Sequence, residues 1–237
     1  MPEQTTKAFD SNLLDLRRTI AEMGGIAETQ SAAAITALLK SDTPLARRVI
    51  AADESIDRLQ RDIETMAIAT IARCQPTARD LREIVGTLRI SIDLERIGDL
   101  AKNVAKRVVA LGGKLLPPSL ARGFDHMTEM VLGQLKSSLD SYVRRDLAAA
   151  LEVWKGDEEV DAITNSLVRE LLTLMVQDPQ NIRFGIHLLF CAKNIERVGD
   201  HATNIAEVVY LIMEGHALLD VRPKVDCTSI PWVLVPV

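Results

Sequence analysis

The sequence predicts an all-α fold of two tandem antiparallel three-helix bundles related by internal duplication, and three observations lead to this prediction. Aromatic residues are only 3% of the 237 residues although hydrophobic residues are 47%, so aliphatic side chains must form the core. This composition favours helices packed on helices over a sandwich of strands. Apolar residues recur at helical spacing along most of the chain. Finally, stretches roughly 100 residues apart repeat one another.

Six long helices are predicted from this periodicity and from the residues that interrupt it. The interruptions are Ser41-Asp42-Thr43-Pro44, Gln75-Pro76, Gly112-Gly113 followed by Pro117-Pro118, and Asp178-Pro179. Such residues favour turns and helix ends, and a proline in the first helical turn costs little because its missing N–H would have no partner there. The predicted helices cover residues 8–40, 44–73, 77–112, 119–144, 146–176 and 180–216. No strand is predicted before the C-terminal tail.

The third helix of each half carries the clearest repeat. Residues 92–104 read IDLERIGDLAKNV and residues 193–205 read KNIERVGDHATNI, at an offset of 101 positions. Both copies keep one apolar stripe with spacings of three and four, which predicts one buried helix face. The stripe consists of Ile90, Leu94, Ile97, Ala101, Val104, Val108 and Leu111 in the first copy, and of Cys191, Ile195, Val198, Ala202, Ile205, Val209 and Ile212 in the second.

The second helix is repeated as well, which defines the domain organisation. ADESIDRLQRDI at residues 52–63 matches GDEEVDAITNSL at residues 156–167, at an offset of 104. A repeat of this length is typical of a duplicated domain and is too long for a solenoid. Short loops then make each unit an antiparallel three-helix bundle. We predict a first repeat over residues 1–114, a second over 115–216 and a C-terminal extension over 217–237.

Acidic side chains recur four residues apart on the second and third helices of both units. Two carboxylates at this spacing repel one another, so the pair costs helix stability unless a positive charge lies between them. On the third helix they lie opposite the apolar stripe, on the side that also carries Leu81, Val85, Leu88 and Ile92, which favours a half-buried site. The candidate residues are Asp53, Asp57, Glu95, Asp99 and Asn103 in the first unit, and Asp157, Asp161, Glu196, Asp200 and Asn204 in the second.

Oxygen donors from two neighbouring helices are suited to a metal ion of hard or borderline character. Iron, manganese, magnesium or calcium would fit, with zinc as a further alternative. The competing interpretation is a solvated acidic face neutralised by basic residues, and Arg96, Lys102 and Arg107 are close enough in sequence for that role. The metal interpretation is favoured because the acidic pairs occur on two helices and in both units.

The motifs DLERIGDLAKN and NIERVGDHATN resemble the signature helices of the PhoU family, phosphate-responsive accessory proteins of bacterial phosphate uptake. The stretch RDLREIVGTLRISIDLERIGD also resembles the third helix of that family, and the resemblance extends over about residues 5–216. It implies two three-helix bundles that each bind a multinuclear iron or other metal cluster. The ligands implied by the matching motif positions are Asp53, Asp57, Glu95, Asp99, Asp157, Asp161, Glu196 and Asp200, with Asn103 and Asn204 as further members.

The resemblance also implies a role in signalling. Members of the family act as cytoplasmic negative regulators of the phosphate response and are often homodimers. They are thought to relay the state of the phosphate transporter and its ATPase to a membrane sensor kinase. We therefore expect an adaptor that is not an enzyme.

Other function classes find less support in the sequence. A net charge of -5 argues against a nucleic-acid binder, and no segment reaches the ~18 uninterrupted apolar residues of a membrane span, so a cytoplasmic protein is expected. A di-metal carboxylate enzyme would need Glu-x-x-His on paired helices, and no such motif occurs. That enzyme class and a metal-free helical scaffold remain the alternatives.

Three further expectations concern single residues and the tail. Cys191 is predicted to be a core residue, and His187 a core or boundary residue. His201 follows Asp200 directly, and adjacent helix positions diverge by about 100°, so His201 is expected to be a neighbour of the acidic site and not a ligand. The tail DVRPKVDCTSIPWVLVPV is either a docking extension or a poorly ordered end.

Overall fold

The computed structural model describes the backbone of residues 2–219 and the side chains of residues 9–219. All regular structure in this range is helical, which confirms the predicted fold class. The helices are α1 (Pro2–Lys40), α2 (Thr43–Ala52), α3 (Glu54–Cys74), α4 (Ala78–Leu111), α5 (Pro118–Arg144), α6 (Leu147–Lys155), α7 (Asp157–Gln177) and α8 (Ile182–Glu214), with a 3-10 turn at Pro179–Asn181. None of these helices has the length and apolar character needed to cross a membrane. The predicted extension from residue 220 onward, with Cys227, lies outside the described residues.

Helix ends lie at all four predicted interruptions. Asp42 caps α2, because its side chain accepts a hydrogen bond of 2.8 Å from the N–H of Leu45. Asp146 caps α6 in the same way, at 3.0 Å from the N–H of Ala149. Gly112 ends α4 with a φ of 62°, a left-handed conformation that glycine adopts without steric cost. These local signals account for the chain reversals between the helices.

The predicted second helix of each unit is wrong in one respect, because each is broken into two. The first break separates α2 from α3 at Asp53, and the second separates α6 from α7 at Gly156. Both residues keep φ and ψ values near the helical region, at −58° and −37° for Asp53 and at −72° and −4° for Gly156. Neither break is marked by a proline or by a residue with positive φ, so the sequence contains no local signal for it.

A glutamine from the first helix of each unit lies at the break. Gln30 donates a hydrogen bond of 2.9 Å to the carbonyl of Ala52. Gln134 lies beside Gly156, where an added Cβ would be 3.1 Å from the glutamine Nε2. The Oε1 atoms of both glutamines are buried and have no hydrogen-bond partner within the described part of the chain. Gln30 and Gln134 are separated by the same 104 positions as the second-helix repeat, which is the sequence signal for this feature.

The predicted apolar stripes of α4 and α8 form the centre of one continuous core. Every member of both stripes is buried, except Leu111, which is partly buried against the same core. Burial of each leucine or isoleucine side chain stabilises the fold by about 1.5–3 kcal/mol. Cys191 is fully buried, and burial raises the pKa of its thiol to about 12, so it is a core residue as predicted.

α4 and α8 run antiparallel and join the two units. Near the start of α4, a Cβ added at Gly86 would lie 2.5 Å from Cδ1 of Ile212, near the end of α8. At the opposite end, the Lys114 ammonium lies 4.3 Å from the ring centroid of Phe184, near the start of α8. Because the two helices are copies at an offset of 101, the pair is related by an approximate two-fold axis. Each end of the pair therefore has a counterpart at the other end.

Candidate carboxylate sites

The first carboxylate cluster consists of Asp53 and Asp57 at the start of α3 and of Glu95 and Asp99 in the middle of α4. Asp53 is only 7% exposed, and the other three are partly buried. Burial raises the pKa of Glu95, Arg96 opposes this shift, and the negative charges of Asp99, Asp57 and Asp53 add to it. The break before α3 thus brings carboxylates of two helices within electrostatic reach of one another.

Lys102 of α4 lies inside this first cluster. Its ammonium donates a short hydrogen bond to Asp53 and lies 3.7 Å from Oδ1 of Asp99. The hydrogen bond to Asp53 raises the pKa of Lys102 most, burial opposes it, and the charges of Asp53, Asp99 and Asp57 raise it further. Arg96 lies 3.5 Å from Glu95 and 3.9 Å from Asp99. Two of the three basic residues considered for neutralisation therefore contact the cluster.

The second carboxylate cluster consists of Asp157 and Asp161 at the start of α7 and of Glu196 and Asp200 in the middle of α8. Asp157 and Asp161 are only 2% and 8% exposed, so this cluster is the more deeply buried. Burial raises the pKa of Glu196, the hydrogen bond and charge of Lys193 lower it, and the charges of Asp200 and Asp161 raise it. Lys193 reaches Glu196 at 2.7 Å from the solvent side.

One position distinguishes the two clusters in charge. Lys102 corresponds, at an offset of 101, to Thr203, which is fully buried. The Thr203 hydroxyl donates to Oδ1 of Asp157 at 3.2 Å, where the first cluster has an ammonium bound to Asp53. The first cluster therefore contains a permanent cation at a place where the second has a neutral donor.

The two asparagines predicted as further ligands have different surroundings. Asn204 donates a hydrogen bond of 3.2 Å to Oδ1 of Asp93 on α4. The Nδ1 atom of His201 lies 2.8 Å from the same oxygen, so His201 contacts the opposite unit. Asn103 is exposed and lines a groove together with Lys106. Asp93 is a contact residue that sequence reasoning missed, since its counterpart at an offset of 101 is the uncharged Asn194.

The apolar residues near the acidic side of α4 are more exposed than the sequence predicted. Leu81, Val85 and Ile92 are exposed, and Leu88 is partly buried. Ile182 and Ile186, the counterparts of Leu81 and Val85 on α8, are exposed as well. Each unit therefore presents a short apolar strip to solvent.

The chemistry of the donors fits a hard cation, although the side chains do not enclose a finished metal site. No group of three or more His, Cys, Asp and Glu side chains among residues 9–219 is arranged so that it could hold a metal ion. Both clusters nevertheless present carboxylate oxygens from two helices, and mutual repulsion contributes to the raised pKa of Glu95 and of Glu196. A bound cation would relieve this repulsion. The assignment of the ten residues as ligands stays a prediction.

Duplicated helical bundles with carboxylates on paired helices define the class of this protein, and comparisons with known proteins give its family. The family model described as "PhoU domain" matches residues 20–108 and 124–209. A relative from Rhizobium meliloti (strain 1021), named phosphate-specific transport system accessory protein PhoU homolog, is 54% identical over 222 residues, which is 94% of each chain. A relative of the same name from Caulobacter vibrioides is 47% identical and covers 97% of this chain and 100% of its own.

Solved structures agree with this assignment. The crystal structure of PhoU from Pseudomonas aeruginosa superimposes with a TM-score of 0.85 at 36% identity, over 88% of this chain and 100% of that one. The phosphate transport system regulatory protein PhoU from Streptococcus pneumoniae gives a TM-score of 0.80 at 26% identity, over 89% and 99%. The chain belongs to the PhoU family, which confirms the resemblance found in its third helices.

Proposed function

We propose that this protein is a cytoplasmic regulator of phosphate uptake and phosphate-starvation signalling, and that it acts negatively. The observation that carries the proposal is similarity over nearly the whole chain to relatives named as accessory proteins of the phosphate-specific transport system. The Streptococcus pneumoniae neighbour is named a regulatory protein of phosphate transport. Neither name describes an enzyme, which favours a regulatory role over the alternative of a di-metal enzyme.

The regulator acts as an adaptor between the phosphate transporter ATPase and a membrane sensor kinase, and it forms a homodimer. This part of the proposal rests on the family resemblance. The exposed apolar strips of the two units support it physically, because solvent-exposed apolar residues in a row are typical of protein contact surfaces. Leu81 and Val85 form one strip, and Ile182 and Ile186 form its counterpart.

Deletion of the gene tests the regulatory role. In phosphate-replete medium, a strain without this protein is expected to express a phosphate-starvation reporter that the parent strain represses. Reintroduction of the wild-type gene restores repression if the protein acts negatively. A deletion strain that still represses the reporter in phosphate-replete medium would contradict the proposal.

Each carboxylate cluster binds metal ions as part of this function. Iron is the first candidate, with manganese, magnesium or zinc as alternatives. The ions offset the repulsion between carboxylates and thereby hold α3 against α4 and α7 against α8. The residues that would hold them are Asp53, Asp57, Glu95, Asp99 and Asn103 in the first unit, and Asp157, Asp161, Glu196, Asp200 and Asn204 in the second.

Metal content and chelation test this part separately. Elemental analysis of the purified protein is expected to find stoichiometric metal, and chelation is expected to lower the melting temperature. Asp99→Ala and Asp200→Ala reduce both the metal content and the effect of chelation. Glu159→Ala, which removes an exposed carboxylate from α7, leaves both unchanged. A metal-free protein whose melting temperature does not change on chelation would instead support the alternative of a metal-free helical scaffold.

A further inference from the structure

A basic groove runs between the second half of α4 and the first half of α8. It consists of two cavities of about 310 Å³ and 280 Å³ that meet at Ala110. The polar side chains that line the first cavity are Asn103, Lys106, Arg107 and Asn194. Those that line the second cavity are Lys114, Gln180, Arg183 and His187. Each cavity therefore combines two cationic side chains with carboxamide donors, and no carboxylate of residues 9–219 lines either one.

The four cations of the basic groove are not neutralised within the described part of the chain. None of Lys106, Arg107, Lys114 and Arg183 has a carboxylate oxygen within 4.0 Å there. A concave surface lined by one sign of charge concentrates the field and attracts oppositely charged ligands. The groove therefore favours an anion.

Two aromatic rings of α8 hold two of these cations in place without cancelling their charge. The Arg107 guanidinium lies 4.4 Å from the ring centroid of Phe190, and the Lys114 ammonium lies 4.3 Å from that of Phe184. Lys114 also donates a hydrogen bond of 3.1 Å to Oδ1 of Asn181. Cation–π contacts orient a cation and leave its N–H groups able to donate. The donors are thus positioned before any ligand arrives.

His187 lies in the second cavity and experiences the same positive field. Burial lowers the pKa of His187, and the charges of Arg107 and Arg183 lower it further. Its Nδ1 atom is buried and has no hydrogen-bond partner among residues 9–219. Both guanidinium groups therefore act on this one imidazole, and no carboxylate is among the causes of the pKa shift.

The counterpart end of the α4 and α8 pair shows that the duplication alone does not create this groove. At an offset of 101, Gly86 corresponds to His187 and lies against Ile212 and Val208, which fill the space. Asp93 corresponds to Asn194 and contacts His201 and Asn204. The counterpart end is closed and holds acidic side chains, whereas the basic groove is open.

We propose that the basic groove binds a small molecule carrying two linked phosphoryl groups at the place where its two cavities meet, with inorganic pyrophosphate as the simplest example. A phosphoryl group carries a charge of about −1.5 to −2 near neutral pH, so two linked phosphoryl groups match the four cations of the groove. Guanidinium groups donate to such oxygens in pairs, and carboxamides can donate as well. The proposal rests on the groove alone and is independent of the regulatory role.

Calorimetric titration of the full-length protein with pyrophosphate tests the proposal. The buffer has low ionic strength and no divalent cations, because pyrophosphate chelates them. Wild type is expected to bind pyrophosphate, and orthophosphate at least roughly tenfold more weakly. Arg107→Gln and Arg183→Gln each weaken pyrophosphate binding by roughly tenfold or more, since each removes a charge-assisted donor. Arg89→Gln removes an exposed cation from α4, at the counterpart of Phe190, and leaves binding unchanged.

Circular dichroism melts of the same variants establish that each one folds, and Arg183 is exposed, so its substitution does not disturb the core. No binding of pyrophosphate by folded wild type would overturn the proposal. Equal binding by all three variants would also overturn it, because the anion would then bind elsewhere. Orthophosphate that binds as tightly as pyrophosphate would overturn the assignment of two phosphoryl groups.

Discussion

The two units share one helix arrangement but compensate the charge of their carboxylates differently. In the first, Lys102 binds Asp53, so part of the negative charge is balanced by the protein itself. In the second, Thr203 occupies the corresponding position, and Asp157 and Asp161 are more deeply buried. Buried carboxylates are costly unless a cation or hydrogen bonds stabilise them. The comparison predicts that replacing Lys102 changes how the first cluster responds to an added cation.

The two ends of the α4 and α8 pair also differ, because one is filled by side chains and the other is open. One end is closed by Ile212 against Gly86 and by Glu83, which accepts hydrogen bonds of 2.5 Å from Arg17 and from Arg145. At the other end, Phe184 takes the place of Glu83, and the basic groove stays open. The two ends of the pair therefore have corresponding backbones, but side chains fill one end and leave a groove at the other.

The largest expected effect comes from overpacking the closed end of the α4 and α8 pair. Gly86→His introduces the residue found at the counterpart position, where a Cβ would already lie 2.5 Å from Ile212. Overpacking of this kind destabilises a protein by about 1–3 kcal/mol, and we expect the upper part of this range. Denaturant unfolding measures the loss. The control is Gly133→His, since nothing lies within 4 Å of a Cβ at Gly133. Equal losses for the two variants would show that the closed end is not tightly packed.

A somewhat smaller effect is expected from Glu83→Gln. The glutamine keeps the shape of the side chain but loses the charge that binds Arg17 and Arg145, so unfolding free energy falls by about 1.5–2 kcal/mol. Denaturant unfolding is again the measurement, with Glu64→Gln at an exposed site of α3 as the control. If both substitutions are neutral, the ion pairs do not hold the closed end together.

Lys102→Thr makes the first cluster resemble the second. In chelator, removal of the ammonium leaves Asp53 and Asp99 without that partner, and the melting temperature falls by an amount equivalent to about 1 kcal/mol. Added Mn²⁺ then restores more stability to this variant than to wild type. Arg89→Thr, an exposed cation on the same helix, serves as the control. A variant that responds to Mn²⁺ no more strongly than wild type would contradict the comparison of the clusters.

The smallest effect concerns pH. The pKa of Glu196 is raised in the folded state, so between its ordinary value of 4.5 and the raised value the folded protein binds more protons than the unfolded chain. Stability from this group is therefore lost as the pH rises through that window. Glu196→Gln is expected to melt slightly higher than wild type at pH 7.5 in chelator, and the advantage disappears near pH 4.5. A lower melting temperature at pH 7.5 would show that the Lys193 contact outweighs the cost of burial.

Much of the fold could be predicted from periodicity and from helix-ending residues, because those signals are local. The stripes of α4 and α8, the interruption at Asp42 and the repeat all follow from spacing and residue type. The breaks at Asp53 and Gly156 could not be predicted, since both residues keep nearly helical backbone angles. They depend on tertiary contacts, such as the hydrogen bond from Gln30 to Ala52.

The candidate sites were only partly predictable for a related reason. Repeated acidic pairs identify which carboxylates share a helix face, and Lys102 could be considered as a neutralising residue from its position alone. Its choice of Asp53, on another helix, depends on how α3 crosses α4. Arg107 was considered for the same role, yet it stacks on Phe190 of the other unit. The basic groove combines residues from both units, and a local sequence pattern cannot predict which residues of different units come together.

The most direct test of the central claim compares metal stabilisation in the two clusters. The claim is that the paired carboxylates of both clusters bind cations. The measurement is the rise in melting temperature when Mn²⁺ is added to chelator-treated wild type, Asp99→Ala and Asp200→Ala. We predict that Asp99→Ala and Asp200→Ala each lose part of the rise, because each removes a carboxylate from one cluster. An equal rise in all three proteins would contradict the claim.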